Sequence, residues 1–318
     1  MLYDVFNGDA DGVCALHQLR LAEPADSQLI TGPKRDISLL KRVKAQAGDR
    51  ITVLDVALSK NREALDAALA AGASVRYFDH HQSGDIPEHP NFEAHIDTSP
   101  ETCTSLLVND YLGGKHLAWA VTAAFGDNLA QSARKAAAPL KLNDAQLEQL
   151  RELGECLNYN GYGETLADLH YEPDVLYRIV HQYVDPFDMI ATEPAFQVLR
   201  NGFADDMAHA ESARPEEERP SGRIYVLPAE KWARRISGVL GNRLAETSPS
   251  LAHAVLTRKP GGGYVVSVRA PLANKSGADE VCSQFETGGG RKGAAGINHL
   301  PEADYSRFVN TFFGVYKG

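Results

Sequence analysis

Short apolar runs alternate with stretches of helical periodicity through the first third of the chain. Tyr3-Asp4-Val5-Phe6, Gln28 to Thr31, Ile51 to Val56, Val75 to Phe78 and Phe92 to Ile96 have the length and the β-branched or aromatic content of buried strands. Between the first two, Val13, Leu16, Leu19 and Leu21 give the apolar side of a helix that starts after Gly12. Further helices are predicted over Leu39 to Ala47, over the alanine-rich stretch Asn61 to Ala71, and from about Thr102 to Tyr111. A βαβ series of this kind builds an α/β domain around a doubly wound, mostly parallel sheet.

From Leu117 to about Leu199 the pattern is mostly helical. Residues 204–222 differ in kind, being polar, charged and bracketed by prolines, and they read as a linker. Beyond Arg223 the pattern predicts a smaller α+β domain. It has a strand to Leu227, a helix over Trp232 to Ala245, and strands Ala252 to Arg258 and Tyr264 to Arg269 on either side of the turn Pro260-Gly261-Gly262-Gly263. A helical stretch around Ala278 to Phe285, a glycine-rich string and a helix from about Ala303 to Tyr316 complete it. The expected division is therefore 1–203, a linker 204–222, and 223–318.

Composition narrows the class. With 318 residues, 43% of them hydrophobic, the chain can bury two ordinary cores. No apolar run approaches the ~18 residues a membrane helix needs. The sequence enters a strand at Leu2 without a basic leader, so no secretory signal is expected. Cys14, Cys103, Cys156 and Cys282 form no CxxC pair and read as reduced thiols of a cytoplasmic protein. A net charge of −10 disfavours tracking a long polyanion such as duplex DNA, which calls for a basic stripe. It favours a short substrate held at metals and a few arginines.

The candidate chemistry lies at the strand ends. The first strand runs into Asn7-Gly8-Asp9-Ala10-Asp11-Gly12, the third into Asp55, and the fourth into Asp79-His80-His81. Ligands of open α/β sheets bind outside the carboxyl ends of the strands. Taken singly, Asp9 or Asp11 is a loop acid or helix cap, and Asp55 a turn residue. Taken jointly, that many carboxylates need a counter-charge, and carboxylate with imidazole suits Mn²⁺, Fe²⁺ or Zn²⁺. His80 and His81, adjacent on an extended segment, point to opposite sides and should take different tasks.

Gly288-x-Gly290-x-x-Gly293 matches a dinucleotide-binding pattern, but it does not open a βαβ unit. What remains is a run of unobstructed amides, from Gly288, Gly289 and Gly290 onward, beside Arg291 and Lys292. Such a loop can cradle a phosphate, with Arg269 as a second anion clamp.

These residues together resemble the DHH phosphoesterase family with its DHH-associated C-terminal domain, over nearly the whole length. Asn7 to Gly12 resembles the first motif, Asp55 the second, Asp79-His80-His81 the third and Phe125-Gly126-Asp127-Asn128 the fourth. Val266-Ser267-Val268-Arg269 with Gly288 to Gly296 resembles the signature of the associated domain. The resemblance implies a catalytic domain over 1–203 and a substrate-binding domain over 223–318. It implies two Mn²⁺ ions, with Mg²⁺ or Co²⁺ as substitutes. One ion would be held by Asp9 and Asp55, the other by Asp11, Asp55, His80 and Asp127. A bridging water would attack, His81 would orient the phosphate, and Arg269 with the glycine string would grip the remainder.

Two positions depart from the family pattern. Where many members have a metal-binding His or Asp, this chain has Val5 and Asn7, which weakens the first metal site and leaves Asn7 as a poor ligand. Arg291 replaces the His of Gly-Gly-Gly-His and can grip phosphate but not shuttle protons at neutral pH. The two-domain layout is most similar to nanoRNases. It implies hydrolysis of short oligoribonucleotides or linear dinucleotides such as pGpG, by a monomer or homodimer that needs no membrane. The alternatives are a catalytically weak nucleotide-binding or regulatory protein, and an enzyme for cyclic dinucleotides or short single-stranded DNA.

Overall fold

The computed structural model describes residues 1–317, which form two compact units that meet in sequence between Asn201 and Gly202. The first contains β1 (Leu2–Phe6), α1 (Ala10–Ala22), β2 (Gln28–Ile30), β3 (Arg50–Leu54), α2 (Leu58–Ala70), β4 (Ser74–Asp79) and β5 (Phe92–Ile96). Helices α3 (Thr104–Tyr111), α4 (Leu117–Gly126), α5 (Ala130–Ala136), α6 (Asp144–Gly161), α7 (Pro173–Val180) and α8 (Pro186–Thr192) follow, and α9 (Pro194–Glu211) carries the chain from the first unit into the second. The sheet is all parallel in the order β2-β1-β3-β4-β5.

Strand alternation gives the sheet two packed faces. Tyr3, Val5, Ile51, Val53, Val75 and Tyr77 pack with Leu58, Leu65 and Leu69 of α2 on one face. Phe6, Leu54 and Phe78 pack with Val13, Leu16, Leu19, Trp119 and Leu157 on the other. A period of two in the strands thus meets a period near 3.6 in the helices. On the second face, buried Asp4 of β1 is neutralised by Arg20, whose Nε lies 2.7 Å from its Oδ2, and Ser27 donates to the same oxygen at 2.6 Å.

One predicted helix is absent. Leu39 to Ala47 forms only a short 3₁₀ turn, Leu40–Arg42, and Val43 is already extended. Leu39 and Leu40 are both fully buried, which a surface helix of that pattern does not allow. Asn61 holds the irregular backbone, accepting from Leu40 N and donating to Ile37 O.

The second unit holds β6 (Glu217–Arg219), β7 (Gly222–Leu227), α10 (Lys231–Thr247), β8 (Ala252–Arg258), β9 (Tyr264–Arg269), α11 (Ala278–Cys282), β10 (Gly288–Arg291), β11 (Ala294–Leu300) and α12 (Tyr305–Val315). Its mixed sheet runs β10-β11-β9-β8-β7-β6, with only β7 and β8 parallel among these pairs. Val266, Val268, Ile297, Phe308 and Phe312 lie in its core. The stretch 204–222 is not the irregular linker its composition suggested, since α9 continues to Glu211 and β6 follows. Met207 and Ala210 are buried at helical spacing, and Asp206 pairs with Arg235 at 2.8 and 3.0 Å. Of the charges of that segment, Asp205 and Glu211 are exposed on the helix, while Arg214, Glu216, Glu218 and Arg219 follow it in the loop and β6.

All four cysteines are free and buried. Among the described residues, no helix is long and apolar enough to cross a membrane.

Candidate metal centre

The first strand leads to β2 on one side and the next strand, β3, pairs on its other side, so a topological switch point falls between β1 and β3. The crevice there, at the carboxyl ends of the strands, is where such sheets take ligands. Asp9, just past β1, caps α1: its Oδ1 accepts from Asp11 N and Gly12 N at 3.0 and 3.1 Å. The turn is tight, and a Cβ at Gly12 would lie 2.2 Å from Asn7 O. Asp55 follows β3 with φ +58°, a left-handed conformation uncommon outside glycine but tolerated by Asp. His80 and His81 leave β4, and Asp127 caps the C-terminus of α4.

Four of these groups converge. The Nε2 atom of His80 lies 3.5 Å from Asp55 Oδ1, 3.7 Å from Asp127 Oδ2 and 3.9 Å from Asp11 Oδ2. The other ring nitrogen of His80, Nδ1, is 3.0 Å from Thr102 O, which can only accept. Nδ1 therefore carries the proton, and in the neutral ring Nε2 presents a lone pair to three carboxylates. Such a ring of acceptors is stable only with protons or a cation at its centre. Asp11, His80 and Asp127 place one ligand atom each within 4.8 Å of one another, as do Asp55, His80 and His81. A backbone carbonyl on the far nitrogen of a ligating His is the usual support in metal sites.

Ionisation reflects the same crowding. Burial, then the charges of Asp9, Asp11 and Asp127, push the Asp55 carboxyl well above the usual carboxylate range. Burial also raises Asp11, although the nearby His80 opposes it. Asp11 is anchored besides by the first amides of α3, accepting from Thr104 N and Ser105 N at 2.7 Å each. Thr104 Oγ1 donates to Asp55 at 3.2 Å.

His81 takes a separate place. Its Nδ1 is 2.7 Å from Oδ1 of the fully buried Asp79, and its side chain is 42% exposed. Burial opposes protonation, but the hydrogen bond and charge of Asp79 outweigh it and raise the imidazole above its ordinary value.

Lys34 was invisible to motif reading. It lies in the loop after β2, and its Nζ is 2.6 Å from Asp9 Oδ2, 3.2 Å from Asn158 Oδ1 of α6 and 3.5 Å from Asp127 Oδ1. Burial works against the Asp9 charge, but the Lys34 ammonium and hydrogen bonds from Lys34, Gly12 and Asp55 hold its carboxyl down at about 2. The signal available in sequence was indirect: a strand ending at Thr31 releases the next few residues at the same sheet edge.

Asn7 is nearby but engaged, its Oδ1 accepting from Asp9 N and its Nδ2 donating to Lys34 O. In the second unit, the expected glycine loop is an edge strand and a tight hairpin. Gly288, Gly289, Gly290 and Arg291 pair antiparallel with Ile297, Gly296, Ala295 and Ala294, leaving Arg291 and Lys292 exposed. Glycine permits this because Gly290 sits at φ +144° and a Cβ there would meet Ala295 Cα at 2.5 Å. Arg269 is not a free clamp: it donates to Asn242 Oδ1, Ser267 Oγ and Val268 O at 2.6, 2.9 and 3.1 Å.

Solved structures share this architecture. A structure of exonuclease RecJ bound to manganese is 17% identical with a TM-score of 0.60, over 100% of this chain and 90% of that one. RecJ from Thermus thermophilus in complex with Mn²⁺ gives 18% and 0.63, over 98% of this chain but 51% of that one. The pGpG-specific phosphodiesterase PggH from Vibrio cholerae gives 12% and 0.55, over 99% of each. No family model matches the sequence, and no curated protein matches it. The fold of the chain is that of the DHH phosphoesterases.

Proposed function

We propose that this chain is a divalent-metal-dependent phosphodiesterase of the DHH family that cleaves short oligoribonucleotides and linear dinucleotides such as pGpG to mononucleotides. The observation that carries the reading is the ring of acceptors formed by His80 Nε2 with Asp11, Asp55 and Asp127 at 3.5–3.9 Å. Those four residues would hold Mn²⁺, or Mg²⁺ or Co²⁺ in its place. When bound, a divalent ion supplies the positive charge that acidifies a water and neutralises phosphoryl oxygens. The chain's own residues do the remaining work. Thr102 fixes the His80 tautomer, Thr104 and Ser105 aim Asp11, and Asp79 holds His81 with Nε2 free to donate to a phosphate oxygen.

Substrate length follows from charge and scale. A net charge of −10 disfavours tracking a long polyanion, which calls for a basic stripe. The pGpG-specific phosphodiesterase PggH matches over 99% of both chains, which favours a dinucleotide-sized substrate. Residues 1–203 are assigned the catalytic role and 223–318 the substrate-binding role. In the latter, exposed Arg291 and Lys292 beside the Gly288–Gly290 edge are the phosphate contacts, and Arg269 braces its own strand against α10.

The test is a turnover panel. Purified protein with Mn²⁺ is incubated with di- to pentaribonucleotides, cyclic dinucleotides, short single-stranded DNA and 3′,5′-bisphosphate adenosine, and products are separated by chromatography. Linear dinucleotides should be consumed fastest. Micromolar binding with no hydrolysis of any substrate would instead make the chain a nucleotide-binding protein.

A further inference from the structure

The DHH resemblance implies two ions, and the residues present fit only one of the two positions. On the Asp11 side, His80 Nε2 and three carboxylate oxygens face one another at close range. On the Asp9 side a side-chain cation is already in place. The three hydrogens of the Lys34 ammonium have three acceptors, Asp9 Oδ2 at 2.6 Å, Asn158 Oδ1 at 3.2 Å and Asp127 Oδ1 at 3.5 Å. The Tyr162 ring lies 5.4 Å behind it. The remaining ligands such a position needs are missing. Val5 is fully buried in the apolar core under α2, and Asn7 gives its carbonyl oxygen to Asp9 N.

We infer that Lys34 is a permanent occupant of the first metal position, so that the chain holds a single divalent ion at Asp11, Asp55, His80 and Asp127. The inference rests on the metal-dependent reading above and specifies its stoichiometry. An ion held by Asp9 would sit within contact distance of an ammonium of the same sign, and Asp55, the carboxylate hydrogen-bonded to Asp9, also faces His80 Nε2 in the other position. One lysine and one divalent ion bring the four carboxylates to within one negative charge of neutral, and a second divalent ion beside the lysine would reverse that sign. Lys34 also has a fixed position, because its backbone N donates to Gly161 O at 2.9 Å and its carbonyl accepts from Asn7. It therefore presents a built-in positive charge where two-ion enzymes of this fold would bind metal.

The experiment counts ions directly. Metal-free full-length protein is saturated with Mn²⁺ and desalted. Manganese is then measured per chain, and an electron paramagnetic resonance spectrum is recorded. The wild type should carry one ion with an isolated six-line signal. Lys34→Ala, checked for folding by circular dichroism, should take up a second ion and show exchange broadening between the two. Two ions with a coupled spectrum in the wild type would overturn the inference while leaving the metal-dependent reading intact. No bound ion would overturn both. One ion in wild type and in folded Lys34→Ala alike would show that lysine is not what excludes the second. The wild-type count stands even where the variant does not fold.

Discussion

The two halves of the acidic cluster share a sheet edge and differ in how their charge is answered. Around Asp9, the helix N-terminus satisfies one carboxylate oxygen and Lys34 the other, so that half is electrically finished within the chain. Around Asp11 and Asp55, carboxylates face the bare Nε2 of His80, burial and mutual repulsion raise Asp55 far from its ordinary behaviour, and Asp127 reaches both halves, with Oδ2 toward His80 and Oδ1 3.5 Å from Lys34. The number of acidic residues at a strand edge is therefore a poor measure of metal capacity. What counts is whether a cation already stands beside each one.

The largest effect that sharpens this contrast is Asp55→Asn. Asn keeps the left-handed backbone at φ +58° but lacks the charge, so kcat/KM should fall at least roughly 10³-fold with an unchanged circular dichroism spectrum. Substantial residual Mn²⁺-dependent turnover would place the chemistry elsewhere. Next, Asp9→Ala removes a helix cap and strands a half-buried ammonium. Urea unfolding should show a loss of about 2–4 kcal/mol, a structural cost that the open half does not carry. A loss near zero would mean that the closed half is not closed.

A smaller effect is expected at His81. Asp79→Asn removes the partner that raises its pKa, so activity at neutral pH should drop about 10- to 100-fold and the alkaline limb of the pH–rate profile should move to lower pH. An unmoved limb would free His81 from that role. The smallest effect is on the metal-free protein. A raised folded pKa at Asp55 means the folded state binds the proton more tightly than the unfolded state. That contribution to stability is present below the unfolded pKa and is lost as pH rises through the folded one. Metal-free Asp55→Asn should therefore be the more stable protein by about 1 kcal/mol at pH 8, with the advantage gone near pH 4. Asp9 behaves oppositely: its pKa of about 2 gives stability that is present above the ordinary carboxylate range and is lost only as pH falls toward 2.

Much of the candidate site was legible along the chain because Asp9, Asp55 and His80 follow strands, and a parallel sheet sends all such ends to one edge. Asp9, Asp55 and His80 needed only strand recognition, while Asp127 came from a family resemblance and sits at a helix end that periodicity alone would not single out. Lys34 escaped because it lies in a loop with no motif, and Asn158 because it is one polar residue on a long amphipathic helix. The glycine string was misread as a loop since glycine gives no alternation by which a strand shows itself; its pairing with Ala294–Ile297 is set by the partner strand.

Sequence by itself determined the alternation of strands and helices, the acids at their ends, and hence the edge at which chemistry would gather. Tertiary structure alone decided which carboxylates meet an internal cation and which do not, and that the 204–222 stretch folds into helix and strand. The reason is physical. Hydrophobic periodicity is written in neighbouring residues, whereas the partner of a buried charge is fixed by ångström distances between groups as far apart as Asp9, Lys34, Asp127 and Asn158.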